Sequence, residues 1–132
     1  EWFVRPPYPV DENGIYDEKG NLIPQVTKVI DSNKEGLYYS YRMTMDRKFI
    51  YAAEHLKTHS ILKIDVDKNT VEAFVGSGKA GFSDGQGSSA QFNQIARMDV
   101  DAQGNLYVVD SGNKAIRKVT PAGAVSTLYS VN

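Results

Sequence analysis

The chain contains no cysteine, which excludes disulfides, thiolate zinc sites, iron–sulfur clusters and cysteine nucleophiles together. A cysteine-free chain suits either redox environment, so this absence leaves the compartment open. No apolar run approaches the ~20 residues that a membrane-spanning helix needs, and no signal peptide is visible. Neither charge is in excess, since 15 basic residues face 16 acidic ones for a net charge of −1. A protein that grips nucleic acid by neutralising phosphates carries a basic surplus, so nucleic acid is not expected as a partner. Segments with helical period are also scarce. No G-x-S-x-G is present, and no serine has a histidine partner by motif, so nucleophilic catalysis has no support.

What remains is a strand-rich composition, with 8 Tyr, 11 Gly and 41% hydrophobic residues in 132. A chain of this size buries about two-thirds of its surface, enough for one real core. Residues 1–13 form an extended proline-rich arm: Pro6, Pro7 and Pro9 lack backbone donors and hold the chain open. Residues 14–35 read as a hairpin with a Lys19-Gly20-Asn21 turn and a second strand through Val26, Val29 and Ile30. From residue 36 to 75 four short apolar runs alternate with polar turns, which predicts an antiparallel meander. Residues 76–91 are a glycine-rich connector, and from 92 to 132 the meander begins again.

Self-comparison exposes a repeat. Arg42–Asp46 aligns with Arg97–Asp101 at an offset of 55, Ile50–Glu54 with Leu106–Asp110 at 56, and Ser60–Ile64 with Ala115–Val119 at 55. A four-stranded unit used repeatedly predicts an all-β fold built from propeller blades. Blades pack on both faces, as the apolar pairs Ala52-Ala53 and Val108-Val109 suggest.

Residues 80–128 closely resemble an NHL repeat of the bacterial six-bladed propeller type. The residues that carry the resemblance are Gly81-Phe82-Ser83-Asp84-Gly85, Phe92-Asn93, Val100-Asp101, Gly104-Asn105-Leu106-Tyr107-Val108-Val109-Asp110, Gly112-Asn113, Ile116-Arg117-Lys118 and Pro121-x-Gly123. Asp101, Asp110, Gly112, Asn113 and Arg117 are thus the structural signature of the repeat. Over 36–75 the pattern is degenerate, and the 14–35 hairpin is similar to only part of a blade. The resemblance implies about two and a half blades of a six-bladed ring. The remaining blades come from a longer parent chain or from self-association, and the start at Glu1 fits a fragment.

Where the family has proline and glycine before the inner strand, this chain has Ile95 and Arg97, and Asp99 stands where the family has a small residue. Arg42 occupies the place of Arg97 in the first full blade by this alignment. These residues predict an anion-binding channel mouth for a carboxylate or sulfate on a glycan or peptide, against the plainer expectation that the arginines pair with Asp46, Asp99 or Asp101. His55 and His59, beside Glu54, are a weak candidate divalent-metal pair in a polar loop; otherwise no cofactor is expected. The resemblance therefore implies a non-catalytic binding or scaffold module with a protein, glycan or peptide partner, in an extracytoplasmic setting. The alternative is a metal-dependent lyase or lactonase-type hydrolase on the same kind of propeller.

Overall fold

A computed structural model of the chain describes residues 10–11, 14–15, 21 and 39–131. Most of the proline-rich arm and of the 14–35 hairpin lies outside the described residues. Strand β1 (Val10–Asp11) pairs antiparallel with β2 (Gly14–Ile15).

Two meanders follow. Strands β3 (Tyr39–Met43), β4 (Phe49–Glu54), β5 (Ser60–Asp65) and β6 (Thr70–Val75) form a four-stranded antiparallel sheet in chain order. Next come β7 (Gly85–Gln86), β8 (Ile95–Val100), β9 (Leu106–Asp110), β10 (Ala115–Val119) and β11 (Ala124–Ser130). They form a five-stranded sheet in the order β7-β11-β10-β9-β8. The connector therefore does more than link blades: Gly85 pairs with Val125 and Gln86 with Ala124, adding a short outer strand to the second sheet. No α-helix occurs among the described residues.

Three of the hairpins share one turn chemistry. Thr44, Asp101 and Thr120 each stand at a strand end and accept a backbone N–H from the residue that restarts the ladder, namely Phe49, Asn105 and Ala124. Short oxygen-bearing side chains suit this position because they substitute for a backbone acceptor within the turn. Arg47 and Gly104 take the left-handed conformation that lets these turns close.

The two sheets pack face to face. Tyr51, Ala53, Ile61 and Val75 of the first join Met98, Leu106, Val108, Val119 and Val125 of the second in one buried cluster. Innermost strands β3 and β8 lie side by side. Each Å² of apolar surface removed from water in this cluster contributes ~25 cal/mol of stability. The other face of the first sheet gathers Ile50, Ala52 and Ile64 with Tyr39, Tyr41 and Leu62.

Cross-strand registers show how the repeat runs. Tyr51 pairs with Lys63 as Tyr107 pairs with Lys118, and Glu54 pairs with Ser60 as Asp110 pairs with Ala115. Ala53 and Ile61, fully buried under the second sheet, correspond to Val109 and Ile116, each 38% exposed. The second sheet thus presents outward the same face that the first sheet buries, as successive wedges of a propeller do.

The innermost strands correct the sequence alignment. Arg42 pairs with Tyr51, whereas the residue that pairs with Tyr107 is Asp99. Arg42 therefore corresponds to Asp99, and the counterpart of Arg97 is Ser40, which faces Ala53 as Arg97 faces Val109. The cause is turn length. The first turn runs from Thr44 to Phe49 and the second from Asp101 to Asn105, one residue shorter, so Thr44 rather than Asp46 matches Asp101.

Candidate functional site

The repeat-signature residues converge on a buried staple. Arg117 is fully buried; its guanidinium donates to the Gln91 and Ser83 carbonyls at 2.8 and 2.7 Å, to Asp110 Oδ2 at 2.8 Å and to Asp84 Oδ1 at 3.0 Å. Phe82 and Phe92 lie 4.9 and 5.0 Å from the guanidinium carbon, one cation–π contact each. Asp110 also accepts from the Asn93 backbone N–H at 2.7 Å and the Asn113 side chain at 2.8 Å. Gly112 stands so close to Asn93 that an added Cβ would meet its carbonyl oxygen at 2.5 Å, while its N–H donates to that same oxygen at 2.8 Å. Together these groups clamp the glycine-rich connector onto the second sheet. Arg117 and Asp110 are both fully desolvated and matched, with the half-exposed Asp84 as a second partner, the arrangement of a structural ion pair rather than a ligand site.

Blade one solves the same problem differently. Leu62, facing Ala52 as Arg117 faces Val108, replaces the arginine, and Glu54 replaces Asp110. Burial pushes the Glu54 carboxyl up, but the Thr58, Leu56 and Lys57 N–H groups and the Thr58 hydroxyl outweigh it and hold it at about 2.

His59 is buried next to this loop, in a left-handed conformation, and its Nδ1 accepts the Gln94 N–H of the second sheet at 2.9 Å. Both Glu54 oxygens and one nitrogen of His59 are thus committed to protein donors, so the donor set around His55 and His59 does not fit a divalent ion. No group of three or more His, Asp or Glu side chains gathers into a metal-binding set among the described residues.

Arg42, Arg97 and Asp99 are all exposed on the innermost strands. Arg42 donates to the Tyr41 carbonyl at 3.1 Å, and Asp99 accepts the Val100 N–H at 2.9 Å. Neither arginine pairs with Asp46, Asp99 or Asp101. Asp46 instead accepts from Thr44 and the Lys48 N–H, while Asp101 accepts from Gln103, Asn105 and the Tyr107 hydroxyl. The Asn105 side chain, first among these donors, holds the Asp101 carboxyl at about 2.

A cavity of about 130 Å³ opens between the turns of the two sheets, lined by Thr44, Asp46, Phe49, Tyr51 and Lys63 on one side and by 102–104 with Pro121 on the other. The Lys63 ammonium lies 4.3 Å from the centre of the Phe49 ring and 5.1 Å from that of Phe74, which stacks on Tyr51. Burial, with the Asp46 charge second, pushes the Tyr51 hydroxyl up, so it stays a protonated donor. The sequence reading singled out neither Tyr51 nor Lys63, although each left a signal, as a Tyr and a Lys recurring in both repeats at offsets of 56 and 55.

No family model matches the chain. Over 61 residues, 46% of this chain and 6% of its relative, it is 38% identical to the protein SUPPRESSOR OF QUENCHING 1, chloroplastic, of Arabidopsis thaliana. Among solved structures, a candidate phosphatase of Bacteroides thetaiotaomicron superposes on 69% of the chain with a TM-score of 0.58 and 26% identity. Auxiliary nutrient binding proteins of Bacteroides thetaiotaomicron and Bacteroides ovatus superpose on 70% with TM-scores of 0.57 and 0.60, at 20% and 18% identity. The chain spans 22% to 25% of the length of these structures. With two wedge-packed antiparallel meanders and propeller-type neighbours, the chain is all-β and forms part of a β-propeller.

Proposed function

We propose that this chain is part of an NHL-type, six-bladed propeller that works as a non-catalytic binding module, holding an anionic glycan or peptide at the channel mouth and adjacent loops. One observation carries the reading: the innermost strands, which border the axis in a propeller, expose Arg42, Arg97 and Asp99 to solvent rather than burying them in ion pairs. The names of two structural neighbours, both nutrient binding proteins, point the same way. Further blades cover Val109 and Ile116, and an extracytoplasmic location goes with this role.

On this reading the mouth has a definite charge order. Arg42 and Asp99 sit at matched levels in adjacent blades, and Arg97 lies one pleat further from the turns. A ligand that fits must place acidic groups beside the two arginines and leave Asp99 to a hydroxyl or amide. Affinity for carboxylated and sulfated oligosaccharides, measured by calorimetry, is expected to fall about tenfold or more in Arg42→Ala/Arg97→Ala. Unchanged affinity for every anionic ligand would remove the reading. Stoichiometric metal in the purified protein, lost in His55→Ala/His59→Ala, would overturn the non-catalytic role in favour of a metal-dependent enzyme.

A further inference from the structure

The cavity between the β3–β4 and β8–β9 turns differs from its surroundings in one respect: it contains hydrogen-bond donors without acceptors. Tyr51 is only 2% exposed, lines the cavity, and finds no hydrogen-bond partner for its hydroxyl among the described residues. The hydroxyl opens onto the cavity, so its acceptor there is whatever fills the cavity, water or a ligand. The matched tyrosine of the next blade shows what is missing. Tyr107 donates to Asp101 Oδ2 at 2.9 Å, but Thr44 stands in the place of Asp101, and its hydroxyl is spent within its own turn on Asp46, at 2.6 Å. The repeat therefore supplies an internal control, in which one blade gives its tyrosine a carboxylate and the other withholds it.

A second donor accompanies the first. Lys63, paired across the ladder with Tyr51, holds its ammonium over two aromatic rings with no carboxylate partner among the described residues. The nearby Asp46 carboxylate already receives Thr44 and the Lys48 N–H and sits beside the Lys48 charge. Met45, Phe49, Ala102 and Pro121 add apolar wall, and Gln103 adds a polar one. Resting on the binding-module reading above, we infer that this cavity is a binding site for a small free carboxylic acid. Its carboxylate takes the place that Asp101 fills for Tyr107, accepting from the Tyr51 hydroxyl and the Lys63 ammonium, and its short apolar tail lies against Phe49 and Pro121. A cavity of about 150 Å³ holds benzene, so a ligand of about six heavy atoms, such as butyrate, fills this one.

The test is a titration of the isotope-labelled protein with butyrate, butyramide and trialanine, followed by amide and methyl NMR shifts. Butyrate is expected to bind with a dissociation constant of about a millimolar and to shift residues 44–49, 63, 101–104 and 121. Tyr51→Phe and Lys63→Met are each expected to weaken it about tenfold. Thr44→Asp should abolish binding, because it gives Tyr51 the internal acceptor that the next blade already has. The spectra of the variants report whether each remains folded. Equal binding of butyramide, or unchanged affinity in folded Tyr51→Phe and Lys63→Met, would overturn the proposal. Tighter binding of trialanine than of butyrate would reassign the site to a peptide terminus and overturn the free-acid claim. Shifts confined to Arg42, Arg97 and their neighbours would overturn the cavity site while leaving the channel-mouth reading standing. Loss of oligosaccharide binding in Arg42→Ala/Arg97→Ala with butyrate binding intact would separate the two in the other direction.

Discussion

Replacing Arg117 by leucine imports into the second blade the residue that the first blade already has at that position. Leu62 is tolerated because Glu54 draws its bonds from its own loop. Asp110 has no such supply: beyond Asn93 and Asn113 it depends on Arg117. The leucine variant strands a fully buried carboxylate, and the Ser83 and Gln91 carbonyls lose their guanidinium donors. Removing one partner of a buried ion pair costs about 3–5 kcal/mol, and leucine recovers part of the packing volume, so the expected loss is about 4 kcal/mol. Against a total stability of about 5–15 kcal/mol that is severe, and it lowers the melting temperature by roughly 15 °C. Urea denaturation followed by circular dichroism measures it. The double variant Asp110→Asn/Arg117→Leu, which removes the stranded charge, should recover about 2 kcal/mol of coupling. A leucine variant within about 0.5 kcal/mol of the parent, with no coupling to Asp110, would refute the reasoning.

Other expectations follow from the same contacts. The Glu54 carboxyl, held at about 2 against an ordinary 4.5, contributes stability that is fully present above pH 4.5 and is lost as pH falls toward 2. It is worth about 3 kcal/mol before solvent screening and about half that after it. Acid titration of the unfolding free energy should flatten in this window in Glu54→Gln, and a parallel curve would contradict the assignment. Gly112→Ala forces a Cβ against the Asn93 carbonyl, and a loss of about 2 kcal/mol or more is expected in thermal unfolding. His59→Ala removes the acceptor for Gln94 and should cost about 1–3 kcal/mol, together with faster exchange of the Gln94 amide. An unchanged exchange rate would show that the bond does not hold the blades together.

The strands themselves were legible because a blade strand is apolar on both faces, and the runs at Ile50–Ala53 and Leu106–Val109 have no other economical use. Asp101 and Asp110 were legible for a related reason, as short carboxylates at strand ends next to turn dipeptides. The equivalence of Arg42 and Arg97 failed because an offset of 55 before the turn and 56 after it makes the second turn the longer one, whereas it is one residue shorter and the offset falls from 57 to 56. A one-residue slip in a ladder moves a side chain to the opposite face, and two slips carry it to a different level. The partners of Arg117 were hidden because two are backbone carbonyls of a glycine-rich segment, which carries no side-chain signal. The cavity was harder still: it is defined by a bond that Tyr51 does not make, and that is visible only when Tyr107 is seen making it.

The central claim is that two repeats stand as neighbouring wedges sharing one apolar seam. Methyl-resolved nuclear Overhauser contacts measure that directly. Contacts linking Ala53, Ile61 and Val75 with Met98, Leu106 and Val108 are predicted, together with Ile116 lacking any contact to the first sheet. Two meanders with no such cross-contacts, or Ile116 rather than Val108 touching Ile61, would contradict it.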